Sequence, residues 1–276
     1  MITMMCNGQL VDNKQLLDRG LHYGDGLFET MAVRNGTLPL WDRHWRRFQQ
    51  GCRRLHMTPP DKSLLETEIG SLAQGHERAV MKLLFTRGEG ERGYRIPDQA
   101  RPNRYLFLSA WPEYDVDPAD SKVRLHVCET RLGSNPVLAG IKHLNRLEQV
   151  LARSEWQDPQ IQEGIMLDQR GNVIEGTMSN LFWVRGERIY TPELSHCGVA
   201  GIMRELVIEA TQTRKLSLQT GLWPLSEMML AEEIFITNSL ICVWPVRYIN
   251  SKEYATGPIT KRLQLHLSNL HEHQTS

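Results

Sequence analysis

Gly140-Ile141-Lys142-His143-Leu144-Asn145-Arg146-Leu147-Glu148-Gln149, followed by Val173-Ile174-Glu175-Gly176-Thr177-Met178-Ser179-Asn180, is the part of this chain from which the rest can be read. One lysine lies among small and apolar residues where a strand or loop feeds a helix pattern, and Ala139 and Gly140 leave room beside it for a bulky ring. Lysine forms Schiff bases once desolvation lowers its pKa. A lone glutamate, Glu175, follows a strand-like stretch. Each residue also has a plain reading. An arbitrary lysine is a solvated surface charge, and Glu175 sits between a hairpin signal at 168–172 and a turn-rich segment, where a cap or turn carboxylate is ordinary.

The pair gains meaning from what else the chain supplies. Pyridoxal-phosphate (PLP) chemistry needs a Schiff-base lysine, an acid that keeps the pyridine nitrogen protonated, and a cradle for phosphate. Gly198-Val199-Ala200-Gly201-Ile202-Met203 opens a helix with small residues, and the free N–H groups and dipole of such an end suit a phosphate. Thr237-Asn238-Ser239, after the strand-like Glu233-Ile-Phe-Ile, offers hydroxyl and amide donors, though alone it is a turn. Arg47 shares the polar side of a helix with Arg43 and Arg54. Such a row is usually solvated, the alternative being one arginine turned inward as a fork for phosphate oxygens.

Composition bounds the remaining choices. The 276 residues allow one large or two medium domains. Basic and acidic residues balance at 32 each, so no global field favours nucleic acid or an acidic membrane. Five widely spaced cysteines, none in a Cys-x-x-Cys pair, argue against a disulfide framework or a zinc site and for a reducing compartment. The N-terminus lacks a signal-peptide pattern and no window is apolar enough to span a membrane. The expectation is a cytoplasmic protein with no metal, nucleic-acid or membrane partner.

Along the chain, Trp41, Trp45, Phe48, Cys52 and Leu55 recur every three or four positions, which predicts an amphipathic helix capped by Asp42 and stopped by Pro59-Pro60. Residues 80–85 and 104–110 read as buried strands. The proline-bearing polar stretch from Trp111 is the best linker. Beyond it, Val123, Leu125 and Val127 alternate as a strand, and a helix over 144–154 is expected to bury Leu144, Leu147, Val150 and Leu151. Further strands are expected at 164–168, 180–184 and 233–237, with helices beginning near Gly201 and covering 260–270. The architecture expected is α+β (α/β) in two domains, residues 1–111 and 122–276, joined by 112–121.

Gly88-Glu-Gly90-Glu-Arg92-Gly93 formally matches a dinucleotide fingerprint, but the prolines at 97 and 102 forbid the helix that must follow. The segment reads instead as a flexible loop whose Arg87, Arg92, Tyr94 and Arg95 are suited to clamp carboxylates. The alternative is a solvated hairpin tip. His271 and His273 read as a frayed terminus.

Arg19-Gly-Leu-His-Tyr-Gly24-Asp-Gly-Leu-Phe-Glu29-Thr, His44-Trp-Arg-Arg47-Phe, Lys142, Glu175-Gly-Thr-Met-Ser-Asn180 and Gly201-Ile-Met, in that order, resemble the fold-type IV PLP enzymes. That group includes branched-chain and D-amino acid transaminases and 4-amino-4-deoxychorismate lyases. Within it, residues 138–151 and Arg87-Gly-Glu-Gly-Glu-Arg-Gly-Tyr94 look like the lyase branch of folate biosynthesis. The resemblance implies a smaller N-terminal and a larger C-terminal domain with PLP between them. It implies that Lys142 carries PLP, that Glu175 faces the pyridine nitrogen, and that Arg47, the backbone at Ile202 and Met203, and Asn238 with Ser239 hold the phosphate. It also implies a homodimer acting on 4-amino-4-deoxychorismate, with Arg92 and Tyr94 the candidates for gripping its carboxylates. A transaminase of the same fold is the nearest alternative, and a PLP-binding protein without turnover a remote one. Glu29 is assigned no chemistry.

Overall fold

The computed structural model describes residues 4–6, 9–11, 14–113 and 123–273; most of the expected linker therefore lies outside the described residues. The chain runs β1 (Met4–Cys6), β2 (Gln9–Val11), a 3-10 turn (Lys14–Leu17), α1 (Arg19–Tyr23), β3 (Gly26–Arg34), α2 (Trp41–Arg54), α3 (Lys62–Ala73), β4 (Arg78–Thr86) and β5 (Asn103–Ala110). After residue 122 come β6 (Val123–Leu132), α4 (Leu147–Arg153), β7 (Glu163–Asp168), β8 (Val173–Gly176), β9 (Asn180–Arg185), β10 (Arg188–Pro192), α5 (Ile202–Thr213), β11 (Ser217–Gly221), α6 (Leu225–Met229), β12 (Glu233–Asn238), β13 (Cys242–Ile249), β14 (Lys252–Glu253) and α7 (Pro258–His273). The mixture is α+β, as expected. No described helix is long and apolar enough to cross a membrane.

Strands β3, β4 and β5 form an antiparallel sheet in that order. Helix α2 lays Trp45, Phe48 and Cys52 against Met31, Val33 and Phe85 of this sheet, so the expected apolar stripe is the one that is buried. Its cap differs from expectation. Leu40, in the left-handed region at φ 63°, precedes the helix, while Asp42 stands in the first turn and pairs with Lys62 at 2.8 Å. Strand β5 is also less enclosed than expected. It is the sheet's edge, and Phe107 faces outward from it.

The second sheet has the order β11-β10-β9-β12-β13-β6-β7-β8, with β14 added beside β13. Central β9 and β12 are buried on both faces, hence their unbroken apolar runs. One face packs Trp183, Ile234 and Ile236 with Met228. The other packs Phe182 and Phe235 beneath α5 and α7. The hairpin expected at 168–172 joins β7 to β8, with Gly171 at φ 84°.

Helix α4 corrects the sequence reading. It spans Leu147–Arg153, burying Gln149 and Ala152, whereas Leu147, Val150 and Leu151 are 69%, 61% and 52% exposed. The periodicity was that of an amphipathic helix, but the apolar side faces away from this chain's own core.

Candidate active site

Lys142 is stitched between the two sheets. The Phe28 N–H donates to the Lys142 carbonyl at 2.9 Å, and the Leu144 N–H donates to the Gly26 carbonyl at 3.0 Å. On the other side, Gly140, at φ 81°, donates to the Gly198 carbonyl at 2.8 Å and accepts from the Ala200 N–H at 3.0 Å. The loop 198–201 in turn binds Glu175, whose Oε2 accepts from the Val199 N–H at 2.7 Å. Backbone pairing thus brings Lys142 to the start of α5, and one Glu175 oxygen ties the glutamate to the same loop, which leaves the lysine amine and the other carboxylate oxygen for chemistry.

The Lys142 Nζ lies 4.3 Å from the centre of the Phe28 ring. Burial, reinforced by the nearby Arg47 guanidinium, lowers its pKa to about 7, and Glu29 offsets part of that shift. Burial raises Glu175 to about 7 against the opposing pull of the Val199 N–H and of Arg146 and Lys142. Only one Glu175 oxygen has a hydrogen-bond donor among the described residues. A cation presented to the other would find a carboxylate that lacks one.

Helix α5 begins at Gly201 without a side-chain cap, so the N–H groups of its first turn, including those of Ile202 and Met203, are left for an outside acceptor. A side chain at 201 would collide with Asn180, whose Oδ1 would lie 2.1 Å from the new Cβ. In the wild-type chain that Oδ1 instead accepts from the Gly201 N–H at 3.1 Å. Thr237 is directly opposite Asn180 on the neighbouring strand and shares its face. Its hydroxyl is buried with no partner among the described residues, an orphan next to the helix start. These donors fit a phosphate, and with Lys142 and Glu175 they fit PLP as a whole.

Arg47 is turned inward, its side chain 10% exposed. It is held by Glu29 through Nε at 2.9 Å and Nη2 at 2.5 Å, and its Nη1 donates to the Ala200 carbonyl at 3.1 Å. Glu29 also meets the Nδ1 of buried His44 at 2.7 Å. Burial alone would raise Glu29, but Arg47 and His44 prevail and hold it at about 2. Sequence reasoning passed over Glu29. A charged residue at an inward position of a strand was the available signal.

Other expected site residues are placed less directly. Asn238 caps the β12–β13 turn, its Oδ1 accepting from the Leu240 and Ile241 N–H groups at 2.9 and 3.0 Å, and its amide donates to the Met178 carbonyl at 3.3 Å. Ser239 follows in that turn. The turn after Glu175 is organised by Glu163, another residue not singled out from sequence. It accepts from Thr177, Met178 and Ser179, so the hydroxyls of Thr177 and Ser179 serve that carboxylate.

The loop between β4 and β5 is anchored rather than flexible. Arg19 donates to the carbonyls of Gly93, Tyr94 and Arg95. Arg87 is buried and paired with Asp25, and Arg95 pairs with Asp98 at the surface, so neither is free to clamp a ligand. Arg92 is exposed, and Tyr94, 85% exposed, meets the Tyr23 ring edge-on at 5.4 Å. No described contact brings either to Lys142. The loop joins antiparallel strands with no helix after it, as its prolines required.

A fold with this lysine between two sheets defines the class. Residues 26–249 match the family model for amino-transferase class IV, and the chain belongs to that family. It is 36% identical to an aminodeoxychorismate lyase of Vibrio harveyi, over 95% of this chain and 98% of the relative. A putative branched-chain-amino-acid aminotransferase of Methanocaldococcus jannaschii is 29% identical, over 94% of this chain and 92% of the relative. Among solved structures, the 4-amino-4-deoxychorismate lyase from Pseudomonas aeruginosa superposes with a TM-score of 0.87 at 43% identity, covering 95% of this chain and 97% of that one.

Proposed function

We propose that this chain is a PLP-dependent lyase converting 4-amino-4-deoxychorismate to 4-aminobenzoate and pyruvate. The observation that carries this reading is the pairing of half-buried Lys142 with buried Glu175, both shifted to about 7, in a chain similar to aminodeoxychorismate lyases over nearly its whole length. Lys142 would hold the cofactor aldehyde, Glu175 would face the pyridine nitrogen, and the first turn of α5, Thr237, Arg47 and the turn at Asn238 and Ser239 would receive the phosphate. When bound, PLP supplies an electron sink for charge developing at the carbon that bears the substrate nitrogen.

The chain's own groups do the rest. With its pKa near 7, the Lys142 Nζ is uncharged in a substantial fraction at neutral pH, and once free it would take the proton from the carbon that bears the substrate nitrogen. Glu175 would face the pyridine nitrogen and keep a proton there, and a cation beside it would favour the ionised carboxylate despite its burial. Loss of enolpyruvate makes the substrate ring aromatic, and the Lys142 Nζ returns the proton to the departing group, giving pyruvate. Arg92 and Tyr94 remain our candidates for the substrate carboxylates.

We take residues 1–111 and 122–276 as two domains, a division supported by their separate sheets and cores. The exposed Leu147, Val150 and Leu151 face of α4 supports a homodimer. The free thiols of Cys52, Cys128 and Cys197 support a reducing, cytoplasmic setting. The test is incubation with 4-amino-4-deoxychorismate and no added keto acid. Release of 4-aminobenzoate and pyruvate in equal amounts supports the lyase. Turnover only with a keto acid acceptor would make the chain a transaminase instead.

A further inference from the structure

Arg146 stands four residues after Lys142, at the N-terminus of α4. Its side chain folds back over the lysine turn. Nε donates to the His143 carbonyl at 2.9 Å and Nη2 to the Ile141 carbonyl at 3.3 Å. These two carbonyls bracket the peptide that carries Lys142. With the Phe28 N–H on the Lys142 carbonyl and the Leu144 N–H on Gly26, every peptide link around the lysine is fixed. No carboxylate lies within ion-pair distance of Arg146 among the described residues, although the guanidinium is largely buried. A buried cation without a paired anion is costly, so its place needs a reason beyond helix capping.

We infer that Arg146 is a positioning residue for Lys142: it clamps the turn so that the amine enters the site in one direction, and it sets a positive charge beside that amine. This rests on the reading of Lys142 as the Schiff-base lysine. The other charged groups facing the amine are Arg47 on α2, Glu29 on β3 and Glu175 on β8, with His44, its pKa lowered by burial, behind Glu29. Glu29 is already bound by Arg47 and His44. Arg146 lowers the proton affinity of the lysine nitrogen and at the same time holds Glu175 toward its ionised form. Losing the clamp and losing the charge act on the lysine in the same direction, since water entering the loosened turn also favours the protonated nitrogen.

The test is a pH titration of the visible band of the cofactor-loaded protein, read without substrate. In Arg146→Gln the midpoint should move up by about one pH unit, roughly tenfold in proton affinity, the size expected for removing one partly screened neighbouring charge. Arg146→Lys keeps the charge but cannot span both carbonyls, so its midpoint should move the same way by a smaller amount. That variant carries the test if the glutamine protein does not fold. Midpoints equal to wild type in the folded variants, or lowered ones, would overturn the inference and leave Arg146 a helix-capping residue. A wild-type protein whose cofactor is not on Lys142 would show instead that the underlying reading of the lysine had failed.

Discussion

Two buried glutamates flank Lys142 in opposite conditions. Glu29, from the first sheet, is gripped by Arg47 and His44 and held at about 2; Glu175, from the second, has one backbone N–H and is pushed up to about 7. Both are equally out of water, so the difference lies in their partners. A carboxylate whose lone pairs are filled by the protein is structural: Glu29 fixes Arg47 at the edge of the site. A carboxylate left short of donors is positioned to meet a ligand cation. The contrast separates scaffold from chemistry more cleanly than burial does.

Removing the satisfied carboxylate should have the larger effect on folding. Glu29→Ala leaves Arg47 and His44 facing each other in a buried place, with an expected loss of about 3–5 kcal/mol in denaturant unfolding. Glu29 binds its proton less tightly folded than unfolded. Its contribution is therefore complete above the unfolded value near 4.5 and is lost as pH falls toward 2. The variant should lack that acid-side decline, and wild-type stability in it would remove Glu29 from the scaffold.

Glu175→Gln should leave the fold intact and retain cofactor while turnover drops on the order of 10²-fold, the usual scale for losing a preorganised electrostatic partner. Near-normal turnover would reduce Glu175 to a turn residue. Here the sign is reversed: folded Glu175 holds its proton more tightly, so it costs stability increasingly as pH rises from 4.5 through about 7. Cofactor-free Glu175→Gln should lose that slope.

A second contrast is between helices α2 and α4, whose apolar stripes look alike in sequence. One is buried against β3 and β4, the other is exposed. Leu151→Glu should weaken self-association by about tenfold or more, since a charge would be buried at the contact, with little change in the secondary structure of the protomer. An unaltered sedimentation profile would show that this face is not where two copies meet. Smaller still are the effects expected in the anchored loop. Arg92→Ala and Tyr94→Phe should raise KM by roughly 2- to 10-fold, as for peripheral charged or hydroxyl contacts, with the cofactor band intact. Wild-type kinetics in both would make the loop a solvated hairpin tip.

These contrasts also mark what the sequence could reveal. Lys142, Glu175 and the glycine-led start of α5 stood out because small residues and turn signals surround them. Strand and helix positions followed from periodicity, and β6, β7, β9 and β12 lie close to where alternation or apolar runs placed them. Periodicity does not say what covers a face, which is why α4 was read as buried. Glu29, Glu163, His44 and Arg146 were illegible for a related reason. Each works through partners distant in the chain or through backbone carbonyls, and neither leaves a local pattern. Arg87 and Arg95 look like carboxylate-binding arginines in the sequence, whereas in the fold Asp25 and Asp98 occupy them.

The central claim is that Lys142 carries the cofactor. Borohydride reduction of the yellow protein, followed by digestion and peptide mass mapping, reads it directly. The reduced pyridoxyl group should appear on Lys142 and on no other lysine. Its presence on another lysine, or a protein that takes up no cofactor, would be incompatible with the site described.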